Sequence, residues 1–213
     1  KGVYFEDTYK RIYPLGSLAC DVIGFTDAGD TATWGLEGYY NSTLNGTNGR
    51  TFGYLSDNSS LEQNIIDPVN GKNLTTTLDA TIQEIVEKYI SAFDRALSAG
   101  PNNKKNAKKK GAENIAVIIQ NPNNGEILAM ASSGTYDLNN PRDLSGSYTE
   151  YEIENMDDEE TKEALFDMWK NYCVSQNFEP GSTFKPVVVA SALESGAITE
   201  ANRFICDGGE EIG

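Results

Sequence analysis

Histidine is absent from this chain of 213 residues. That removes every triad or proton relay built on imidazole, and with it the commonest metal ligand. Cysteine is scarce as well: Cys20, Cys173 and Cys206 are widely spaced, odd in number and form no Cys-x-x-Cys pair, so a zinc site is not expected. Each reads as a small buried apolar residue, with a disulfide between Cys173 and Cys206 left open. No apolar run reaches 18 residues and no signal-peptide pattern occurs, so nothing in these residues is expected to span a membrane. Positive charge is in deficit: 17 Lys and Arg stand against 32 Asp and Glu, a net charge of −15. Such a surface repels phosphate backbones and anionic lipid, which sets nucleic acid aside as a partner. The one basic cluster, Lys104-Lys105-Asn106-Ala107-Lys108-Lys109-Lys110, has no interleaved aromatics and reads as a solvated loop.

What is present suffices for a core, at 38% hydrophobic content over a length that suits one large or two small domains. Residues 1 to about 72 are rich in Gly, Asn, Thr and Ser around short apolar clusters, which predicts short strands and turns in place of long helices. From Leu78 the texture changes. Ile82, Ile85, Val86, Tyr89, Ile90, Phe93, Ala96 and Leu97 recur at three and four, with Asp79 placed to cap a helix and Gly100-Pro101 to stop it. Ile115 to Ile119 and Ile127 to Ala131 are apolar runs separated by a turn ending in Asn124-Gly125, which predicts a hairpin. Strands apolar on both faces belong inside a covered sheet, so this hairpin's open edge is expected to be paired with another copy, covered or disordered. Asp157-Asp158-Glu159-Glu160 does not have calcium-loop spacing and reads as the acidic first turn of a helix, continued by Ala164, Leu165, Met168, Trp169 and Tyr172.

The most informative stretch is Asn177-Phe178-Glu179-Pro180-Gly181-Ser182-Thr183-Phe184-Lys185-Pro186, running into the apolar segment Val187 to Leu193. Pro180-Gly181 ends what precedes it, and the apolar segment continues as a helix to Gly196. Ser182 then stands at the helix start with Lys185 one turn on, on the same face. Pro186 falls in the first turn, where it costs little. A helix apolar nearly all round is expected to be buried. A serine hydroxyl needs a base to become a nucleophile, and a lysine can act as one when neutral. The free N–H groups of a helix start favour charge on an attacked carbonyl oxygen. The plain alternative is that Ser182 is an ordinary cap and Lys185 a solvated side chain.

Ser-x-x-Lys is a mark of penicillin-binding proteins and serine β-lactamases. Several other segments, in order, resemble the class B penicillin-binding proteins. Arg11-Ile12-Tyr13-Pro14-Leu15-Gly16-Ser17-Leu18-Ala19, continued by Val22-Ile23-Gly24-Phe25, is similar to the Arg-x-Tyr-Pro motif of that family's non-catalytic pedestal, and Gly35-Leu36-Glu37-Gly38-Tyr39-Tyr40, with Leu44, Gly46 and Gly49 following, to its Gly-Leu-Glu motif. Asp67-Pro68 to Asp79 with Ile82-Gln83 resembles the entry to the transpeptidase domain, Ala116 to Ala131 its first hairpin, and Phe178 to Lys185 its nucleophile motif. The resemblance is weakest over residues 98–112 and 143–168.

It implies an α+β chain, with a β-rich pedestal at residues 1–72 and an incomplete transpeptidase domain at 73–213. It further implies Ser182 as the acylated nucleophile and Lys185 as its base, with no cofactor and no metal. Implied partners are peptidoglycan stem peptides, β-lactam antibiotics and cell-wall synthesis proteins at the pedestal, with self-association through the unpaired sheet edge. The implied location is extracytoplasmic, with a bacterial membrane anchor upstream of Lys1. Downstream of its nucleophile the family carries a Ser-x-Asn and a Lys-Thr-Gly, and neither is expected anywhere in this chain. The chain is accordingly expected to be an inactive fragment of a serine D,D-transpeptidase. A non-catalytic binding module is one alternative. A serine β-lactamase or β-lactam sensor is another, although neither would need the pedestal motifs.

Overall fold

Glycine and short polar residues interrupt the first seventy positions too often for a long helix to nucleate. The computed structural model describes residues 10–27, 31–55, 61–98, 112 and 114–205. Its amino-terminal part holds three short helices, α1 (Cys20–Ile23), α2 (Gly35–Tyr39) and α3 (Asn41–Leu44), and one antiparallel hairpin, β1 (Arg50–Leu55) with β2 (Leu61–Ile66). This region is therefore less purely strand and turn than its composition predicts. The apolar clusters close into single helical turns, and α1 buries Cys20 and Asp21.

The predicted long helix is α4 (Ala80–Ser98), and it is capped as expected: Asp79 Oδ1 accepts from the backbone N–H of Thr81 (2.9 Å) and Ile82 (3.0 Å). The predicted hairpin is β3 (Ala116–Gln120) with β4 (Ile127–Ser132). Val117 lies opposite Ala131, Ile118 opposite Met130 and Ile119 opposite Ala129, before a bulge between Ile119 and Gln120. The face carrying Ala129 and Ala131 packs on Val86 and Ile90 of α4, joined by Ile82, Ile115, Val117 and Ile119. Segment 77–83 covers the outer edge of β4, because Thr77 Oγ1 donates to Ile127 O, Asp79 N to Leu128 O, and the Gln83 amide bonds Met130 through both its N–H and its carbonyl. No strand joins the outer edge of β3 among the described residues.

Helices α5 (Glu150–Asn155), α6 (Asp158–Trp169) and α7 (Tyr172–Ser175) follow. The acidic run starts α6 as predicted. Asp157 accepts from the N–H of Glu159 and Glu160, and Glu160 answers to the Asp157 N–H, closing a capping box. Asp157→Ala should cost about 1 kcal/mol in urea-unfolding free energy. A cost below a few tenths would mean the cap contributes nothing. A second core joins Cys20, Phe25, Tyr136, Leu138 and Trp169, with Tyr13, Ile23, Trp34, Leu165 and Met168 around it.

The chain is α+β and forms two compact units, Lys1–Gln176 and Asn177–Gly213. Both cores lie in the first. The second carries a 3-10 turn (Gly181–Phe184) that leads directly into α8 (Lys185–Glu194). Gly100-Pro101, the lysine cluster at 104–110 and Cys206 lie outside the described residues. Cys20 and Cys173 are free thiols.

Candidate active site

Pro180 has no N–H to extend a preceding element, and Gly181 turns the chain with φ at +54°, a conformation that glycine adopts without strain. The turn that follows is 3-10, with three residues per turn, so side chains at i and i+3 lie one above the other. Ser182 and Lys185 occupy those positions, and the Lys185 backbone N–H donates to Ser182 O where the turn becomes α8. Pro186 stands in the first turn of α8 as predicted, and Gly196, at φ +72°, follows its end. The turn therefore sets the two predicted residues one above the other. Among the described residues no hydrogen bond links the Ser182 hydroxyl to the Lys185 amine, and both residues are exposed.

One expectation is corrected here: α8 is not buried. Val187, Val188 and Val189 are 52%, 54% and 49% exposed. A helix apolar on every side needs partners on every side, and among its described residues the 177–213 unit holds no other element besides the 3-10 turn.

In the first unit the structure explains why the two amino-terminal motifs occur together. Arg11 Nε donates to Glu37 Oε1 at 2.7 Å, and Glu37 is only 5% exposed. The first residue of one motif thus holds the last residue of the other, 26 positions on. Gly24 and Gly35 press backbone against backbone: a Cβ on Gly24 would lie 2.0 Å from Trp34 O, and one on Gly35 would lie 2.6 Å from Gly24 N. Only glycine permits that approach.

A polar seam next to these motifs was not read from the sequence. Gln83 is 1% exposed; its amide bonds Met130 O at 2.9 Å and Glu87 Oε1 at 2.8 Å while its oxygen accepts from Met130 N at 2.9 Å. Glu87 Oε1 also accepts from Ala19 N at 2.8 Å, and the Ser132 hydroxyl donates to Asp21 Oδ2. Burial pushes the Cys20 thiol and the Tyr136 hydroxyl up from their ordinary values. The one signal in the sequence was Gln83 itself, a polar residue on the stripe of α4 that otherwise holds Ile82, Val86 and Ile90.

The expectation that no Ser-x-Asn occurs in the chain is corrected. Ser56-Asp57-Asn58 and Ser175-Gln176-Asn177 have that spacing upstream of Ser182, and Ser175 is the last residue of α7. No helix among the described residues is long and apolar enough to cross a membrane.

Residues 115–212 match the family of the penicillin-binding protein transpeptidase domain. The chain is 32% identical to the peptidoglycan D,D-transpeptidase FtsI of Buchnera aphidicola (Schizaphis graminum) over 203 residues, which is 92% of this chain and 29% of that protein. It is 29% identical to Escherichia coli K12 FtsI (93% and 29%) and 28% identical to stage V sporulation protein D of Bacillus subtilis (91% and 26%). The chain thus spans less than a third of the length of these relatives. Among solved structures it superposes on penicillin-binding protein 3 of Mycobacterium tuberculosis complexed with aztreonam, with TM-score 0.57 and 28% identity over 88% of this chain and 32% of that one. A peptidoglycan synthetase from Bifidobacterium adolescentis gives TM-score 0.65 at 23% identity, over 92% and 30%, a likeness of fold.

Proposed function

We propose, from the premise that this chain belongs to the penicillin-binding protein transpeptidases, that it is part of an extracytoplasmic enzyme of bacterial cell-wall synthesis. Residues 1–72 are its non-catalytic pedestal and residues 73–213 the first part of its transpeptidase domain. The Ser182 hydroxyl attacks the carbonyl of the penultimate D-alanine of a stem peptide. Lys185 takes the hydroxyl proton as the C–O bond forms, and returns it to the amine of the departing D-alanine as the C–N bond breaks. The amine of a second stem peptide then attacks the acyl-enzyme, giving the cross-link and restoring the serine.

A helix's first N–H groups have no partner within the helix. The Ser182 N–H, at the start of the turn, is therefore suited to receive the oxyanion. β-Lactams acylate Ser182 in place of the stem peptide. Partner proteins of wall synthesis meet the pedestal, and a second copy of the chain can pair along the free edge of β3, where Ile118 is exposed.

The observation that carries this reading is Ser182 in the 3-10 turn with Lys185 three residues on, at the first position of α8, inside the segment that matches the family. It is tested with fluorescent penicillin on two polypeptides: this 213-residue chain, and the whole protein, which would carry the two downstream motifs. We expect the whole protein to be labelled, Ser182→Ala to abolish the label, and the 213-residue chain to stay unlabelled. Label that survives Ser182→Ala would overturn the assignment of the nucleophile. Robust labelling of the 213-residue chain would overturn its inactivity.

A further inference from the structure

Asp21 is a buried carboxyl to which the acyl-transfer reading gives no part. Four elements surround it. On α1 the Cys20 thiol faces Oδ1 at 3.7 Å, and on β4 the Ser132 hydroxyl donates to Oδ2. Helix α4 brings up Glu87, whose Oε1 already accepts from Ala19 N and from Gln83 Nε2 at 2.8 Å each. From α7, Asn171 Nδ2 reaches the Asp21 backbone carbonyl at 3.4 Å, and the Cys173 thiol sits close enough for its own ionisation to be raised by burial and by the Asp21 charge. Beyond β4, the Tyr136 hydroxyl donates to Cys20 O at 3.1 Å. No cation acts on Asp21 among the described groups, and the nearest ionisable neighbour of consequence, Glu87, carries its own sign of charge. Between Asp21, Glu87, Gln83, Met130 and Ser132 lies a recess of about 10 Å³, room for a single water.

These same contacts are what fasten α1 to the β3–β4 hairpin and to α4. We propose that Asp21 makes this joint proton-sensitive: the neutral carboxyl tightens the clasp of α1 on β4 and α4, and the carboxylate loosens it. The charged form has no cation to face and a second carboxylate nearby, whereas the neutral form keeps its hydrogen bonds without the cost of a buried charge. Burial raises the Asp21 carboxyl to about 6 from its ordinary 3.8; the hydrogen bonds from Ser132 and Cys20 pull it down, and Glu87 pushes it up again.

The folded pKa lies above the unfolded one, so the folded joint binds more protons between the two values. Its contribution is fully present below about pH 4 and is lost as pH rises through about 6. The inference stands apart from the reaction assigned to Ser182.

The test is amide hydrogen exchange on the full 213-residue chain at pH 5.0 and 7.5, corrected for the intrinsic exchange rate. Amides of Cys20–Ile23 and of Met130 to Ser132 should be protected about tenfold more at pH 5.0, the change that a carboxyl with these two pKa values gives. Those of α6 should change little. Asp21→Asn, nearly the same shape without the titration, should abolish the difference. Glu87→Gln should keep its sign but shrink it, because the variant removes the carboxylate that pushes Asp21 up. A wild-type ratio within twofold, or a tenfold ratio that survives Asp21→Asn, would overturn the proposal. Should the variant fail to fold, the side-chain carboxyl carbon of Asp21 in the wild-type chain decides by nuclear magnetic resonance. A midpoint near 6 supports the proposal, and one near 4 refutes it.

Discussion

Replacing Phe25 with alanine should lower the unfolding free energy of the first unit by about 3–5 kcal/mol, the usual cost of removing a fully buried aromatic ring. Phe25 is 1% exposed, and its ring meets Trp169 at 5.0 Å and Tyr136 at 6.1 Å between ring centres, edge to face in both cases. Those partners come from α6 and from the segment after β4, and Trp34 closes the group against Trp169 at 5.3 Å. The ring therefore joins segments that are more than a hundred residues apart in the chain. Its neighbours are themselves fixed: the Trp169 indole N–H donates to Pro141 O at 2.6 Å and the Tyr136 hydroxyl to Cys20 O, so the cavity left behind cannot collapse easily. Phe52, half exposed on β1, provides the control, and its alanine variant should stay within about 0.5 kcal/mol. Urea titrations of the two variants decide the matter. Similar losses for both would mean that the cluster does not organise this unit.

Phe25 also marks where reading the sequence reaches its limit. The helix at α4 and the acidic start of α6 were legible because their signals are local: Asp79 and Asp157 cap the turns they directly precede, and the apolar stripe repeats within a few residues. The β3–β4 hairpin was legible for the same reason, an Asn-Gly turn between two apolar runs. Contacts between distant segments leave no such trace. Nothing in the run Val22-Ile23-Gly24-Phe25 says that its glycine rests on Gly35, or that Glu37 will be buried against Arg11. Asp21 looks like any surface acid between Cys20 and Val22, and only the fold turns it inward beside Ser132.

At the candidate site the sequence predicts a helix that starts at Ser182; the helix is present but starts at Lys185, and Ser182 lies in the 3-10 turn before it. Whether that turn is 3-10 or α depends on the closing hydrogen bonds, which the residue types at Gly181 to Phe184 do not specify. The exposure of α8 was misread because a stripe-less apolar helix states only that it needs cover. It does not say which residues provide it.

The largest effect is expected at Lys185. In the whole protein Lys185→Ala should slow acylation of Ser182 by fluorescent penicillin by about 10²–10⁴-fold, the usual share of a positioned base. Lys185→Arg should be nearly as slow, and this variant separates two roles that alanine confounds. A base must present a lone pair to the Ser182 hydroxyl. A guanidinium is never deprotonated in a protein and cannot present one, although it keeps the positive charge and most of the reach. If Lys185 served only to draw an anionic substrate or to steady the oxyanion by its charge, arginine would preserve most of the rate. The backbone spacing is compatible with the first role: Lys185 lies three residues after Ser182, where its backbone N–H closes the 3-10 turn on Ser182 O. The measurement is the second-order rate of labelling for wild type, Lys185→Ala and Lys185→Arg, with circular dichroism to establish that all three are folded. An arginine variant within tenfold of wild type would remove Lys185 as the base, while leaving Ser182 as the acylated residue to be judged by its own alanine variant.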